Sequence, residues 1–249
     1  MSAGAHRFPP AAEVSVHPPS VVSHSAMRSY RNVGYWLMLL PLIVAAGFWV
    51  PYLSQAPHFP ARITPTVHVH ALLLFTWMAT LVLQPLLIRN ERADWHRRIG
   101  RLTYVLVPLV VAFAIAVVVK DYRGEISGGM TVAAARDSEY LASGGVVLIV
   151  LFYGLAIRRI LQQNVGAHLR YIICSAIVLL PAGLSRLLGF GFDVPEVTGQ
   201  IVSFAAIDLL LLGLIAYDRR HGLLHRPYAL ALVAYALFEG GWAALGCPV

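Results

Sequence analysis

The stretch HRRIGRLTYVLVPLVVAFAIAVVVK, residues 96–120, joins an arginine-rich segment to 18 consecutive uncharged and mostly apolar residues, 102–119. A helix rises about 1.5 Å per residue, so roughly 20 such residues cross the ~30 Å hydrocarbon core of a bilayer. The abrupt change after Arg101 therefore predicts a membrane-spanning helix that begins beside a charged loop.

The composition of the whole chain agrees with this prediction. Hydrophobic residues make up 58% of the 249 residues, charged residues 12%, and the mean hydropathy is +0.69. Soluble domains carry about 25% charged residues, so this chain lacks the polar side chains that a water-facing surface needs. The excess of 19 Lys and Arg over 12 Asp and Glu lies in short loops beside apolar runs, which argues against nucleic-acid binding.

Seven apolar stretches of this kind follow one another along the chain. They predict an all-α bundle of seven transmembrane helices over 33–249, preceded by a Pro-, Ser- and His-rich cytoplasmic tail, 1–32, that we expect to be disordered. No apolar segment follows Met1, so we expect no cleaved signal peptide. The predicted spans are 33–53, 66–88, 99–119, 143–161, 169–190, 197–217 and 227–246.

The basic residues lie mainly on one side of these predicted spans. The tail and the even-numbered loops hold 14 of them, against 5 on the other side. Positive loops stay in the cytoplasm, so the pattern predicts a cytoplasmic N-terminus and an external C-terminus. The 14 are Arg7, Arg28, Arg31, Arg89, Arg92, Arg97, Arg98, Arg101, Arg158, Arg159, Arg170, Arg219, Arg220 and Arg226; the 5 are Arg62, Lys120, Arg123, Arg136 and Arg186.

Two segments of the chain resemble each other. HRRIGRLTYVLVPL begins the third predicted span at His96, and HLRYIICSAIVLLP begins the fifth at His168. Both place an arginine two residues after the histidine and reach a proline ten or eleven residues later. Two parallel hairpins related by an axis along the membrane normal are one explanation, and chance similarity between apolar segments is the other.

At these residues the chain resembles a family of predicted bacterial inner-membrane proteins. The shared elements are His68 or His70, HRRIGR at 96–101, HLRYI at 168–172 and the patch 185–187, within residues 60–190. The resemblance implies a multi-pass protein of the bacterial inner membrane, and the family brings no known activity. A more distant resemblance to small haem-b membrane cytochromes implies a haem cofactor, although predicted spans four, six and seven contain no histidine.

Three histidines are the candidate cofactor ligands. If the repeat is real, His96 and His168 lie at matching depth and face each other, an arrangement that suits bis-histidine ligation of haem b. Arg98 and Arg170 would then pair with its propionates. Histidines at the membrane interface that contact lipid phosphate are the alternative. His70 shares a helix stripe with Trp77 and Gln84, and is either a ligand or proton carrier or a neutral, hydrogen-bonded histidine.

A second candidate site consists of charged residues inside the predicted spans. Asp208 and Glu239 lie at similar depth in spans six and seven, and Arg186 in span five has a side chain long enough to reach them. Such a cluster is either a structural ion pair or part of a proton or substrate path. His221 and His225 have helical metal-ligand spacing, but the flanking arginines argue against a metal site.

Two functions therefore remain open at the level of sequence. The first is a redox or haem-associated membrane protein that exchanges electrons with quinone or a membrane-protein partner. The second is a non-enzymatic channel, carrier or accessory protein that uses the Arg186, Asp208 and Glu239 cluster. In both cases the lipid bilayer is the surrounding partner, and no motif of the common soluble enzymes is present in the sequence.

Overall fold

The computed structural model describes residues 30–246, and every element of regular secondary structure assigned in that range is a helix. The all-α prediction is therefore confirmed for this part of the chain. The predicted tail lies outside it except for residues 30–32. The helices are α1 Val33–Leu37, α2 Leu39–Gly47, a 3-10 turn Leu53–Gln55, α3 Pro65–Arg89, α4 Ala93–Ser127, α5 Val132–Ser138, α6 Tyr140–Leu161, α7 Val165–Ile177, α8 Leu180–Phe192, α9 Glu196–Arg220 and α10 Arg226–Ala244.

Five of these helical segments are long and apolar enough to cross a membrane. They are α3, α4, α6, α9 and the segment Val165–Phe192 that α7 and α8 form together. The apolar segment Val33–Gly47 is shorter, and α10, at 19 residues, is not among the five. Large apolar side chains such as Leu209 (70% exposed) and Leu237 (74%) point away from the protein, as a lipid-facing surface requires.

Two of the predicted spans are interrupted by proline. Proline has no N–H and cannot bond the carbonyl four residues earlier. Leu37 lies four residues before Pro41, and Ile177 lies four before Pro181; α1 and α7 end at these two residues. Pro85 and Pro108 lie inside the continuous helices α3 and α4, so proline interrupts only the first and fifth predicted spans.

Helix α7 lies at the centre of the bundle. It packs against α3, α6 and α10, and eight of its thirteen residues are buried. Around it, α3 packs on α4, α4 on α6, α9 on α10, and α8 contacts both α2 and α9. The hairpins α3–α4 and α6–α7 thus form a four-helix unit, and this unit contains the candidate site.

Helices α2 and α8 approach each other through two glycines. A Cβ atom placed on Gly47 would lie 2.0 Å from the carbonyl oxygen of Gly183, and one on Gly183 would lie 2.8 Å from Cα of Val44. Both distances are shorter than van der Waals contact, and backbone atoms cannot move aside as a flexible side chain can. Small residues at helix contacts of this kind are common in membrane proteins.

We expect Gly183→Ala to destabilise the protein by about 1–3 kcal/mol, because the added methyl group overpacks the contact between α2 and α8. Unfolding by sodium dodecyl sulfate in mixed micelles measures the change. Gly213→Ala is the matched control, since no atom lies within 4 Å of the added Cβ and alanine favours the helix. Equal stability of the two variants would contradict the close contact.

Candidate functional site

The turns of the two central hairpins have the same backbone structure, 72 residues apart. Residues 90–92 connect α3 to α4, and residues 162–164 connect α6 to α7. The middle residues, Glu91 (φ 60°) and Gln163 (φ 57°), both adopt the left-handed conformation. The four backbone hydrogen bonds from residues 90, 91, 92 and 96 are matched by those from residues 162, 163, 164 and 168, with acceptors also shifted by 72. The repeat in the sequence therefore has a structural counterpart.

The same 72-residue offset relates two histidine contacts. His96 Nδ1 lies 3.3 Å from the carbonyl oxygen of Gln84, and His168 Nδ1 lies 2.9 Å from that of Ala156. In each hairpin the acceptor lies twelve residues before the histidine, on the preceding helix. A carbonyl only accepts hydrogen bonds, so Nδ1 carries the proton and the lone pair of a neutral ring is on Nε2. Metal-ligating histidines commonly show this arrangement.

The side-chain amide of Gln84 also reaches His96. When its oxygen accepts from the Gly100 N–H at 2.9 Å, its –NH2 group lies against His96 Nδ1 and donates to it. The ring proton then moves to Nε2, because a nitrogen that accepts a hydrogen bond carries no proton. Gln84 therefore selects the tautomer of His96, whereas the Ala156 carbonyl allows only one tautomer of neutral His168.

Both histidines line one cavity of about 1160 Å³ within the four-helix unit. Apolar and aromatic side chains form much of the wall, and Trp77 and Tyr153 meet edge to face with their ring centroids 5.6 Å apart. Small-molecule sites usually occupy about 300–1000 Å³, so this cavity has room for a large ligand.

Five arginines line the cavity near the hairpin turns. They are Arg31, Arg89, Arg97, Arg98 and Arg101. Arg97 pairs with exposed Asp94, and the Arg98 guanidinium lies 5.5 Å from the centre of the Trp95 ring. Asp94 and Glu91 are the acidic residues among the lining, so positive charge prevails here. An amphipathic anion, apolar at one end and anionic at the other, matches this distribution of side chains.

Arg170, predicted to pair with a propionate, lies outside the cavity lining and bonds to Asp218 instead. Its Nε donates to Asp218 Oδ2 at 2.6 Å, a terminal nitrogen donates to Oδ1 at 2.9 Å, and both side chains are fully buried. The Tyr30 hydroxyl donates to the same carboxylate at 2.8 Å, and the Tyr228 hydroxyl donates to Tyr30 at 3.2 Å. Because Asp218 already binds this guanidinium, Arg170 has no place in the proposed cofactor site.

His70 lies far from the other two histidines. It is 14 residues before Gln84 on α3, or about 21 Å along the helix axis, and it does not line the cavity. Its Nδ1 is buried without a hydrogen-bond partner in the described part of the chain. The neighbouring His68 accepts or donates a 2.8 Å bond with the Tyr52 hydroxyl.

Asp208 and Glu239 lie on the packed helices α9 and α10, and they interact electrostatically. Arg186 does not join them: among the ion pairs found in residues 30–246, none connects Arg186 to either carboxylate. Its guanidinium donates to the Ala182 carbonyl at 3.0 Å and lies 4.8 Å from the centre of the Phe48 ring. The two carboxyl groups therefore lie on neighbouring helices without the predicted arginine.

The histidines of the α9–α10 turn form no metal site that the structure describes. Across residues 30–246, no group of three or more His, Cys, Asp or Glu side chains is arranged to hold a metal ion. His221 is exposed, and its Nδ1 contacts the Tyr217 carbonyl at 2.8 Å. Cys174 is buried, and Cys247 lies beyond the described residues.

Several residues of these sites were not identified from the sequence. Neither Asp218 nor Tyr30 is among the candidate residues predicted from the sequence, and Tyr30 falls within the predicted tail. One signal was available for Asp218: it is the only acidic residue beside six arginines in the predicted cytoplasmic loops four and six, and a buried arginine needs such a partner.

Comparison of the chain with protein-family models, curated proteins and solved structures gives no match.

Proposed function

We propose that this chain is a haem-b-binding membrane protein in which His96 and His168 would hold the iron. One observation carries the proposal: matched turns of two hairpins place both histidines in one cavity, with each Nδ1 at a backbone carbonyl. Nε2 of His168 is then free to donate electrons to the iron, and Nε2 of His96 is free in the tautomer whose Nδ1–H donates to the Gln84 carbonyl.

The internal repeat explains why two histidines would suit one planar cofactor. Parallel hairpins related by an axis along the membrane normal present their equivalent side chains from opposite sides of that axis. A haem on the axis would therefore receive one imidazole on each face. Since the two rings come from different hairpins, ligation would also fix the hairpins to each other.

The cavity walls match the two ends of haem. Trp77, Tyr153 and their apolar neighbours would enclose the porphyrin ring and exclude water from the iron. Arg97, Arg98 and Arg101 lie at the charged end, where guanidinium groups pair well with propionates. Of the two arginines predicted from the sequence to pair with propionates, Arg98 lines the cavity and Arg170 does not.

Haem held by His96 and His168 would supply one-electron transfer. His168 and His96 would hold the iron, and the hydrogen bonds to Ala156 and Gln84 would set the electron donation of each ring. We infer that the electron partner is a quinone in the bilayer or another membrane protein.

We further propose seven spans in the bacterial inner membrane, with the N-terminus in the cytoplasm. The five apolar helices support a multi-pass protein, and α1–α2 and α10 would supply the first and seventh spans. The hairpin turns and their arginines then lie at the cytoplasmic surface, as the distribution of basic residues requires. Alkaline phosphatase fused after Val249 should be active outside, and a fusion after Gln163 inactive; the reverse result would overturn this topology.

The direct test is the visible spectrum of the purified protein, expressed in a bacterium supplied with a haem precursor. We expect a Soret band that shifts on reduction with dithionite, sharp α and β bands, and the electron paramagnetic resonance of low-spin bis-histidine iron. Folded protein that is colourless, and that does not take up added haemin, would reject the proposal.

A further inference from the structure

In the proposed topology Asp208 and Glu239 lie in the hydrocarbon region, at similar depth on the packed helices α9 and α10 and away from the cavity. The shared turn between α9 and α10 ends at Arg226; Asp208 lies 12 residues from Arg220 and Glu239 lies 13 from Arg226. Both are thus about 18–20 Å from that turn along their helices. Each has one carboxyl oxygen that is buried and without a hydrogen-bond partner in the described part of the chain.

No cation neutralises this pair among the described residues. The ion pairs within residues 30–246 involve other residues. The acidic group that affects Arg186 electrostatically is Glu196. Two negative charges side by side in a low-dielectric region repel each other strongly and are costly to bury. At most one of the two carboxyl groups therefore carries a negative charge, and the other holds a proton.

A buried phenol lies next to the pair. Tyr235 is one helical turn before Glu239 on the same face of α10; it is 1% exposed, and its hydroxyl has no hydrogen-bond partner within residues 30–246. This hydroxyl interacts electrostatically with Glu239. An unpaired hydroxyl in this position is free to donate to a carboxylate when the carboxylate becomes charged.

Two polar side chains that contact α10 from the neighbouring helices α6 and α7 carry no charge. The Cys174 thiol of α7 lies 3.9 Å from the Pro227 carbonyl, and the Tyr140 hydroxyl of α6 donates to the Phe238 carbonyl at 3.0 Å. The side chains of Asp208 and Glu239 are themselves partly exposed, so small species can reach them. The two carboxyl groups therefore have no cationic partner among the described residues and are accessible.

We propose that Asp208 and Glu239 form a proton-exchange site within the membrane, which holds one proton between two carboxyl groups and releases it to water. On release, the O–H bond of the protonated carboxyl breaks, its electron pair stays on the oxygen, and water accepts the proton. The Tyr235 hydroxyl then donates to the new carboxylate. This site is separate from the histidine cavity and does not depend on haem.

Dicyclohexylcarbodiimide tests the proposal, because it is apolar and modifies protonated carboxyl groups in membranes. In proteoliposomes we expect it to label Glu239 or Asp208 at pH 6, as located by peptide mass spectrometry, with less labelling as the pH rises. Adding sodium at constant pH should leave the labelling unchanged. If sodium reduces the labelling, the site binds a metal cation and the proposal is overturned. Absence of labelling between pH 5 and 9 would also overturn it.

The Asp208→Asn variant separates a shared proton from two independent acids. Removal of the neighbouring charge makes Glu239 ionise more readily, so we expect its labelling at neutral pH to fall about tenfold. Asp121→Asn, near the C-terminal end of α4, is the control and should leave the labelling of Glu239 unchanged. Equal labelling of Glu239 in the wild type and in folded Asp208→Asn protein would show that the two groups do not share a proton.

Discussion

We expect the His168→Gly variant to lose the α and β bands of the reduced protein, and imidazole added to the buffer to restore them. His168 is the better defined of the two proposed ligands, because the Ala156 carbonyl holds its Nδ1–H at 2.9 Å and leaves Nε2 free. Deletion of the side chain leaves iron with one protein ligand, and the vacated space admits a free imidazole. The absorption spectrum, recorded at equal protein concentration with and without imidazole, measures both effects.

The His221→Gly variant is the matched control for this experiment. His221 also contacts a backbone carbonyl through Nδ1, at 2.8 Å, but it is exposed and lies outside the cavity. Its spectrum should match that of the wild type. Retention of both bands by folded His168→Gly protein would mean that His168 is not a ligand, even if haem is bound elsewhere.

We expect the Asp218→Ala variant to lose about 3–5 kcal/mol of stability, because it leaves the buried Arg170 guanidinium without its partner. Both side chains are fully buried, and neither water nor lipid can replace the carboxylate. Tyr30 loses an acceptor in the same variant, so the first residues of the described chain also lose their attachment. Sodium dodecyl sulfate titration, followed by circular dichroism, measures the change.

Asp94→Ala provides the comparison, since Asp94 pairs with Arg97 on the surface at 80% side-chain exposure. Exposed pairs contribute about 0–1 kcal/mol, so its stability should hardly change. If Asp218→Ala and Asp94→Ala unfold at the same detergent fraction, the buried Arg170–Asp218 pair contributes no more to stability than the exposed Arg97–Asp94 pair.

The helical segments could be predicted from sequence because hydrocarbon imposes a length and an apolar composition on every span. The predicted span at 197–217 lies within α9, for example, and the one at 66–88 within α3. The breaks after Leu37 and Ile177 could not be predicted, because Pro85 and Pro108 leave their helices continuous. Whether a proline interrupts a helix depends on the neighbouring helices that satisfy the freed carbonyl.

The histidine pair was accessible from the sequence for a different reason. His96 and His168 begin equivalent segments of a repeat, so their relation follows from spacing alone. Arg98 and Arg170 are equivalent by the same spacing, yet Arg98 lines the cavity and Arg170 is bound to Asp218. That difference comes from α9, which has no counterpart in the repeat, and only tertiary packing shows it.

The shift of 72 residues between the two hairpins has a consequence for the ancestry of the chain. Each hairpin brings a single imidazole, so an ancestral protein made of one such hairpin would have needed two copies of itself to enclose one porphyrin. After fusion of those copies in tandem, Arg98 and Arg170 would no longer need identical surroundings. Arg170 could then acquire its ion pair with Asp218 of α9. Separately expressed fragments, divided within the Gly128–Gly129 linker, should on this account still assemble with each other.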